Sequence, residues 1–292
     1  MRQIHLFSLF IIIPLSNILA QNNTNNNSIF WEISGNGLKS PSYLYGTIHI
    51  QDKRVFSMDT IVMKKFNLCQ AYAMELLIDK IDPVKMREMI MLPGNKVITN
   101  FISKTDSVLL FDSYKANYGG NFALLNRMKP FFISSQLMQN EMPKDMPDAL
   151  DMYFLKLAKK ANKTTLGIEE LSDQLGAIEK ISIDEQVKML MDAVKDTSKQ
   201  ENNFEDLLDA YLNSNLDEML KLSNDTTLPE NFNKAFLIDR NKKMAKNIAK
   251  YCTEQITFNA IGAAHLGGKE GVVELLRKKG YTVKPILVKF NN

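Results

Sequence analysis

The sequence predicts an α/β fold, in which a central mixed sheet carries a mainly helical insertion. Short apolar and β-branched runs that end at turn residues lie near the beginning and the end of the chain, as strands do. The middle of the chain is rich in methionine and follows helical spacing. Near the beginning, a strand, a helix and a strand follow one another, an order that favours a parallel pair joined by a right-handed crossover.

The composition excludes some classes of protein. Of the 292 residues, 45% are hydrophobic and 24% are charged, which is usual for a globular protein. The formal net charge is +3 and the lysines are scattered, so the sequence offers no dedicated surface for nucleic acid. We interpret the 16 methionines as adaptable core residues rather than as metal ligands.

The first twenty residues have the pattern of a secretory signal peptide. Arg2 supplies a positive charge, residues 6–15 are almost all apolar, and Ala20 is a small residue of the kind that precedes cleavage. This apolar core is too short to cross a bilayer, and no later stretch is apolar for long enough to be a transmembrane helix. The alternative is a buried first helix. We expect a mature protein that begins near Gln21 and is periplasmic or extracellular.

After the signal, the chain divides into a short leader and one large domain. Residues 21–28 are rich in asparagine and offer no apolar side chain to bury, which predicts a disordered leader. Residues 29–292 are predicted to form one domain, with the helical insertion at about 82–163.

Apolar runs and their spacing predict the elements of this domain. Runs at 29–34 and 42–49 flank a Gly-Asn-Gly turn and predict a hairpin that opens the domain. Later strands are predicted at 70–78, 163–169, 255–262 and 281–289. Helices are predicted at 56–67, at 148–161, which has the clearest pattern, from 171 to about 250, including 205–212 and 232–249, and at 271–279.

The histidines of the chain have matching surroundings. His5 lies in the predicted signal peptide, and the other two end the motifs Gly46-Thr-Ile-His49 and Gly262-Ala-Ala-His265. Each motif lies at the end of a predicted strand, where a glycine permits a tight turn or a close approach to a ligand. In open α/β sheets, ligands bind at the carboxyl ends of the strands.

Two acidic residues occupy comparable positions. Glu75 interrupts an apolar run, and Glu169 ends another. We therefore expect these carboxylates to converge with His49 and His265 at one edge of the sheet. Two imidazoles with one or two carboxylates form a familiar zinc or manganese ligand set, in which the metal activates a water molecule and a remaining glutamate acts as general base.

Each of these residues also has a simpler interpretation. A histidine at a strand end is often a hydrogen-bonding loop residue. Glu75 could face solvent from its strand, and Glu169 could be an acid at the start of a helix, where the helix dipole favours it. The joint placement of the four residues favours a site, but their spacing identifies neither the metal nor the reaction.

Six motifs together span nearly all of the chain after the leader. They are Tyr45-Gly-Thr-Ile-His49, Met74-Glu-Leu-Leu77, Gly167-Ile-Glu-Glu-Leu-Ser-Asp-Gln174, Asp239-Arg-Asn241, Gly262-Ala-Ala-His-Leu-Gly-Gly268 and Gly271-Val-Val-Glu-Leu-Leu-Arg-Lys-Lys-Gly-Tyr-Thr-Val283. In their order and content, the chain resembles the TraB/GumN family, which includes the Tiki-type membrane or secreted proteases.

The resemblance implies a metal-dependent hydrolase that is often discussed as a metalloprotease. His49 and His265 would hold a divalent metal (Zn, Mn or Co), and Glu75 and Glu169 are candidate ligands or bases. Arg240 is a candidate for binding a carboxylate or stabilising an oxyanion, or else a surface arginine paired with a neighbour. The adjacent asparagine is a weaker candidate.

Two classes of function remain open on these grounds. The first is a secreted metal-dependent hydrolase that acts on a peptide or a small molecule. The second is a non-catalytic protein that holds haem, a metal or a peptide at the same edge, because related folds do not share one function. The sequence contains no His-Glu-x-x-His motif, no Ser-His-Asp elbow and no P-loop, so more familiar enzyme classes find no support.

Cys69 and Cys252 each lie just ahead of a predicted strand. If those strands are neighbours and parallel, both cysteines lie at the same sheet edge, opposite the proposed site. A disulfide and two free thiols are both compatible with this arrangement.

Overall fold

The computed structural model describes residues 27–118, 122–195, 197–222 and 234–291. The predicted signal peptide and nearly all of the predicted leader lie outside these residues. Ser28, the last residue of that leader, is buried, and its hydroxyl donates to the carbonyl oxygen of Ile286 at 2.7 Å. The folded domain therefore already includes Ser28, one residue before the predicted boundary, because this side chain ties the chain to the last strand.

The α/β class is confirmed, with a six-stranded mixed sheet. The strands are β1 (Phe30–Ser34), β2 (Ser42–Thr47), β3 (Ala71–Met74), β4 (Thr164–Gly167), β5 (Thr257–Gly262) and β6 (Thr282–Ile286), and their order in the sheet is β4–β3–β5–β2–β1–β6. The neighbours β4, β3, β5 and β2 run parallel, whereas β1 is antiparallel to both β2 and β6.

The predicted hairpin is confirmed, since β1 pairs antiparallel with β2. The strand–helix–strand unit that follows gives two strands, β2 and β3, that run in the same direction, but they are not paired. β5 lies between them and pairs with both. This strand comes from near the end of the chain, so the sequence around β2 and β3 contains no sign of it.

Twelve α-helices lie in the part of the chain that the structure describes. They are α1 (Thr60–Leu68), α2 (Pro83–Ile90), α3 (Lys104–Tyr118), α4 (Phe122–Leu125), α5 (Pro130–Glu141), α6 (Leu150–Lys160), α7 (Leu171–Ile178), α8 (Ile183–Lys195), α9 (Thr197–Leu212), α10 (Leu216–Leu222), α11 (Arg240–Glu254) and α12 (Val272–Lys278). A π-helical segment, Lys234–Asp239, precedes α11, and a 3₁₀ turn, Ala263–His265, follows β5.

Two hydrophobic cores hold these elements together. The core at the sheet contains aromatic rings from strands and helices, and Phe258 of β5 lies 5.3 Å from both Phe66 and Phe154 between ring centroids. Phe154 belongs to α6, so this helix of the predicted insertion packs on the sheet. A second core joins α2, α3 and α5 to α7 and α8, which follow β4. The second core thus combines helices of the predicted insertion with helices from the region after β4, where the sequence also predicts helices.

Both cysteines are buried free thiols. Of the two alternatives for Cys69 and Cys252, the structure therefore describes the one without a disulfide. Among the described residues, no helix has both the length and the apolar character that crossing a membrane requires.

Candidate active site

Four neighbouring parallel strands end at one edge of the sheet, and each is followed by a polar side chain. In the order of the sheet, Glu169 follows β4, Glu75 follows β3, His265 follows β5 and His49 follows β2. The backbone continues the pairing past the strand ends, because the amide of Glu169 donates to the carbonyl oxygen of Glu75 at 2.8 Å. The structure thus brings the four predicted residues to one edge.

Arg240, the first residue of α11, joins the two carboxylates. Its Nη2 donates to Glu75 Oε2 at 2.9 Å and to Glu169 Oε2 at 2.6 Å, and its Nε donates to Glu169 Oε1 at 2.9 Å. Its Nη1 donates to the carbonyl oxygen of Phe236 at 3.3 Å. All three charged side chains are at most 6% exposed. The arginine is therefore not a surface residue, and most of its donors are already used by this protein's own carboxylates.

Glu75 is held at both oxygens. While Oε2 accepts from Arg240, Oε1 accepts from the amide of Gly262 at 2.5 Å. The glutamate that ends β3 is thereby bound to the last residue of β5, next to the turn that carries His265. The side chain that interrupts an apolar run in the sequence is thus a buried link between two strand ends.

His265 is fixed by Asn241, the second residue of α11. The Nδ1 atom lies 2.6 Å from Asn241 Oδ1, and Asn241 Nδ2 donates to the carbonyl oxygen of Glu270 at 2.8 Å. Because Glu270 accepts from the amide nitrogen, the amide oxygen faces the ring, and we assign the ring proton to Nδ1. The Nε2 atom then carries a lone pair and lies 3.9 Å from Glu75 Oε1, beyond hydrogen-bond distance.

The two imidazoles are perturbed in opposite directions. Burial, followed by the charge of Arg240, lowers the pKa of His265 to about 3. Burial also opposes the charged form of His49, but Asp151 and, to a smaller extent, Glu75 outweigh it, so the pKa of His49 lies above its usual value. The Nδ1 atom of His49 lies 2.9 Å from Asp151 Oδ1.

Gly46, the first residue of the first histidine motif, is needed for close packing. A Cβ atom at this position would lie 2.6 Å from Leu266 Cδ1 and 3.1 Å from Ala263 Cα. Both neighbours belong to the segment that carries His265. The glycine therefore allows the ends of β2 and β5 to approach each other, and with them the two histidines.

Asp151 is the one residue of this cluster that our sequence reasoning missed. It belongs to α6, 102 positions after His49, so no local motif joins the two. A signal did exist, since Asp151 shares the buried face of its helix with Phe154, Leu155 and Ala158. A charged residue on the apolar face of a helix needs a partner, and this one has His49.

The fit of this cluster to a metal ion can be judged from its donor groups. Both imidazoles have Nδ1 held by another side chain, an arrangement that is common for metal-binding histidines. The carboxylates, however, already bind Arg240, and the described residues contain no group of three or more His, Cys, Asp or Glu side chains that could hold a metal ion. The cluster therefore fits a charge network around a guanidinium and does not fit a preformed metal centre.

Two neighbouring cavities lie on the Glu169 side of the cluster. The first, of about 740 Å³, is lined by Leu76, Leu77 and Glu169 near the strand ends. It shares Glu88, Lys129 and Glu179 with a second cavity of about 1180 Å³ among the helices of the second core. Neither imidazole lines these two cavities, so they provide room beside the cluster rather than at its histidines.

Comparisons with known proteins identify the family of the chain. The sequence pattern of the TraB/PrgY/gumN family matches residues 29–285, which contain every residue of the cluster. The chain belongs to the TraB/PrgY/gumN family. As in other members, its function has to be argued from the site, because a shared fold does not determine the reaction.

One relative of this TraB/PrgY/gumN chain is a "Metalloprotease TIKI homolog" from Amphimedon queenslandica. The two sequences are 23% identical over an alignment that covers 91% of the present chain and 63% of the relative. The chain thus spans less than two thirds of that protein's length. No solved structure gives a significant match.

Proposed function

We propose that this member of the TraB/PrgY/gumN family is a hydrolase that uses His49 as general base. The observation that carries the proposal is the pair of imidazoles at one buried edge, whose pKa values are displaced in opposite directions. Environments that separate the pKa values of neighbouring titratable groups are typical of sites of acid–base catalysis.

His49 has the properties of the base. A general base is most effective when its pKa lies near the working pH, which favours His49 over His265. As a water molecule attacks the carbonyl carbon of an amide or ester, His49 takes one of its protons. It returns that proton to the leaving amine or alkoxide when the C–N or C–O bond of the tetrahedral intermediate breaks.

His265 orients the attacking water, and the charged residues stabilise the protonated form of His49. The neutral His265 offers a lone pair on Nε2, which can accept a hydrogen bond from the attacking water. Glu75 and Glu169 with Arg240 carry one excess negative formal charge, which favours the imidazolium that His49 becomes during the reaction. Arg240 is assigned to holding both carboxylates in place, since it has few donors left for an oxyanion.

A metal-dependent hydrolase is the second candidate. The name of the relative from Amphimedon queenslandica and the two imidazoles held at Nδ1 favour it. In this version, His49 and His265 bind a divalent ion (Zn, Mn or Co), and Glu75 or Glu169 must leave Arg240 to complete the ligand set. We derive no catalytic step through such an ion, because the carboxylates are engaged elsewhere.

Export and a peptide or small-molecule substrate complete the proposal. Both are supported by the sequence alone, through the pattern of Arg2 to Ala20 and the histidine motifs. N-terminal sequencing of the exported protein tests the first part. A mature chain that still begins with Met1 would remove the claim.

The activity is tested on protein purified after export, without a polyhistidine tag and without chelator. A panel of quenched-fluorescence peptides and chromogenic esters should reveal hydrolysis, which His49→Ala and His265→Ala abolish without loss of the folded state. Glu169→Gln should lose most activity, whereas the neighbouring, exposed Glu170→Gln serves as the matched control and keeps it.

The same preparation separates the candidates. Activity that survives EDTA supports the His49 mechanism, whereas activity that is lost with EDTA and returns with one divalent ion supports the metal-dependent version. Absence of hydrolysis on the whole panel, together with a haem absorbance band, would contradict both and identify a binding protein.

A further inference from the structure

We infer that Asp151 is the positioning residue of His49, contributed by the inserted helical segment to the edge of the sheet. The inference rests on the role proposed for His49. Asp151 fixes the ring of His49 and determines which ring nitrogen carries the proton. It thereby connects the inserted helical segment to the proposed reaction.

The contact itself is short and buried. Asp151 Oδ1 lies 2.9 Å from His49 Nδ1, and the two side chains are 3% and 7% exposed. At this distance an ionised carboxylate favours the tautomer with the proton on Nδ1, so Nε2 of the neutral ring carries the lone pair that takes up a proton during a reaction. Asn241 holds His265 at the equivalent Nδ1 atom. Both rings of the site are therefore oriented in the same way, by a side chain at Nδ1.

The carboxylate is itself held in place. Asp151 is the second residue of α6; burial opposes the ionisation of its carboxyl, but His49 and the backbone amides of Asp151 and Met152 hold its pKa below the usual value. The start of a helix favours a negative charge. In addition, the hydroxyl of Tyr72 in β3 donates to the carbonyl oxygen of Asp151 at 2.9 Å. The first turn of α6 is thus tied to the sheet directly beside the site.

A purely structural ion pair would not need this arrangement. Two buried ionised groups contribute little net stability compared with apolar side chains of similar size, because both lose their hydration. In α6 the remaining buried face is apolar and packs on the sheet. An apolar side chain such as leucine would serve packing at this position equally well, whereas only a hydrogen-bond acceptor can fix the tautomer of His49.

The test uses Asp151→Ala in the full chain, exported and without a tag. The domain contains only two histidines, His49 and His265, so ¹⁵N-histidine labelling gives two ring systems. At pH 9 with EDTA, we expect the wild-type His49 ring to carry its proton on Nδ1, and the variant ring to carry it on Nε2. In the activity assay, kcat should fall about 10²–10⁴-fold while KM changes little.

Asp148→Ala is the matched control. Asp148 precedes the same helix and pairs with Lys156 at 2.6 Å, but that pair is exposed on the lysine side. Its removal should change neither the tautomer nor kcat. If Asp151→Ala does not fold, Asp151→Leu fills the buried position without an acceptor, and it should still reduce kcat relative to KM.

Two results would overturn the inference. One is a wild-type His49 ring that carries its proton on Nε2. The other is an Asp151 variant that keeps kcat within about twofold while His49→Ala is inactive. If the wild-type protein hydrolyses nothing, the proposed function fails, but the tautomer measurement still decides whether Asp151 orients His49.

Discussion

The amide oxygen of Asn241 holds the imidazole of His265 at its Nδ1 atom, 2.6 Å away. Replacing Asn241 by Ala leaves a buried N–H without an acceptor, and we expect a loss of about 1–3 kcal/mol in the free energy of unfolding. Hydrolysis should also fall, because the ring is free to adopt the other tautomer. Urea unfolding and ¹⁵N-histidine spectra measure the two effects.

A second asparagine of the same helix provides the comparison. Asn247 donates to the carbonyl oxygen of Ile168 at 2.7 Å and does not touch the ring. Asn247→Ala should therefore reduce stability without changing the tautomer of His265. An unchanged ring spectrum in Asn241→Ala would contradict the assignment of the proton.

Removal of Arg240 should be among the most destabilising changes. Arg240→Met leaves Glu75 and Glu169 buried without a cation, which we expect to lower the free energy of unfolding by about 3–5 kcal/mol. The triple variant that also carries Glu75→Gln and Glu169→Gln should recover part of this loss, because it removes the uncompensated charge. Lys242→Ala, in an exposed pair with Asp239, should change stability by less than about 1 kcal/mol. A triple variant no more stable than Arg240→Met would argue against the charge account.

The low pKa of His265 predicts a loss of stability in mild acid. In the unfolded chain, the imidazole takes up a proton below its usual value of 6.5, whereas in the folded protein it does so only near 3. Between these two pH values, the unfolded state therefore binds more protons than the folded state. The free energy of unfolding decreases as the pH is lowered, by about 2–3 kcal/mol at pH 4.5.

The raised pKa of His49 does not cancel this trend. The contribution of His49 to stability is fully present below pH 6.5. It is lost only as the pH rises through the pKa that His49 has in the folded protein. Between pH 6 and 4, the difference in unfolding free energy between wild-type protein and His265→Gln should thus shrink in EDTA-treated samples. A difference that is independent of pH would show that His265 titrates normally.

Two glycine-to-alanine substitutions should change the stability of the protein in opposite directions. Gly46→Ala places a Cβ 2.6 Å from Leu266 Cδ1 and should cost about 1–3 kcal/mol, with a loss of activity as the histidine segments separate. Gly176→Ala, in helix α7, meets no atom within 4 Å and should stabilise the protein by about 0.5–1 kcal/mol through helix propensity. Thermal unfolding of both variants tests the pair, and equal effects would contradict the packing argument.

The two thiols should be unreactive in the folded protein. Burial raises the pKa of Cys69 to about 12 and also raises that of Cys252, and the thiolate is the reactive form. We expect a thiol reagent to label neither residue in native buffer and both in urea without reductant. Failure to label in urea would reveal a disulfide, the alternative that the sequence left open.

The sequence was most informative where local patterns determine the structure. Glycines followed by histidines at strand ends located the site edge, and alternating apolar runs located the first hairpin and the closing strands. These signals depend on a few adjacent residues. Arg240 emerged only through the family resemblance, because an arginine at a helix start has no local sign of burial.

What the sequence did not reveal depends on distant pairs. Asp151 and His49 lie on different elements and meet only because α6 packs on the sheet through Phe154. The position of β5 between β2 and β3 is likewise a property of the assembled sheet. Arg240 binds both glutamates, and this bears directly on metal binding. The spacing of residues in the sequence cannot predict such short contacts.

The location of β5 also sets the order in which the molecule can be assembled. This strand spans Thr257–Gly262 and is therefore synthesised after β1, β2, β3 and β4, yet it joins β3 and β4 to β1 and β2. Without β5, the pair β3–β4 and the pair β1–β2 are separate, and each has an open edge. Arg240, the partner of Glu75, follows it by 165 residues in the sequence. Folding that depends on such distant partners is slow. The edges of β2 and β3 that face each other in the sheet therefore stay unpaired until β5 has been made.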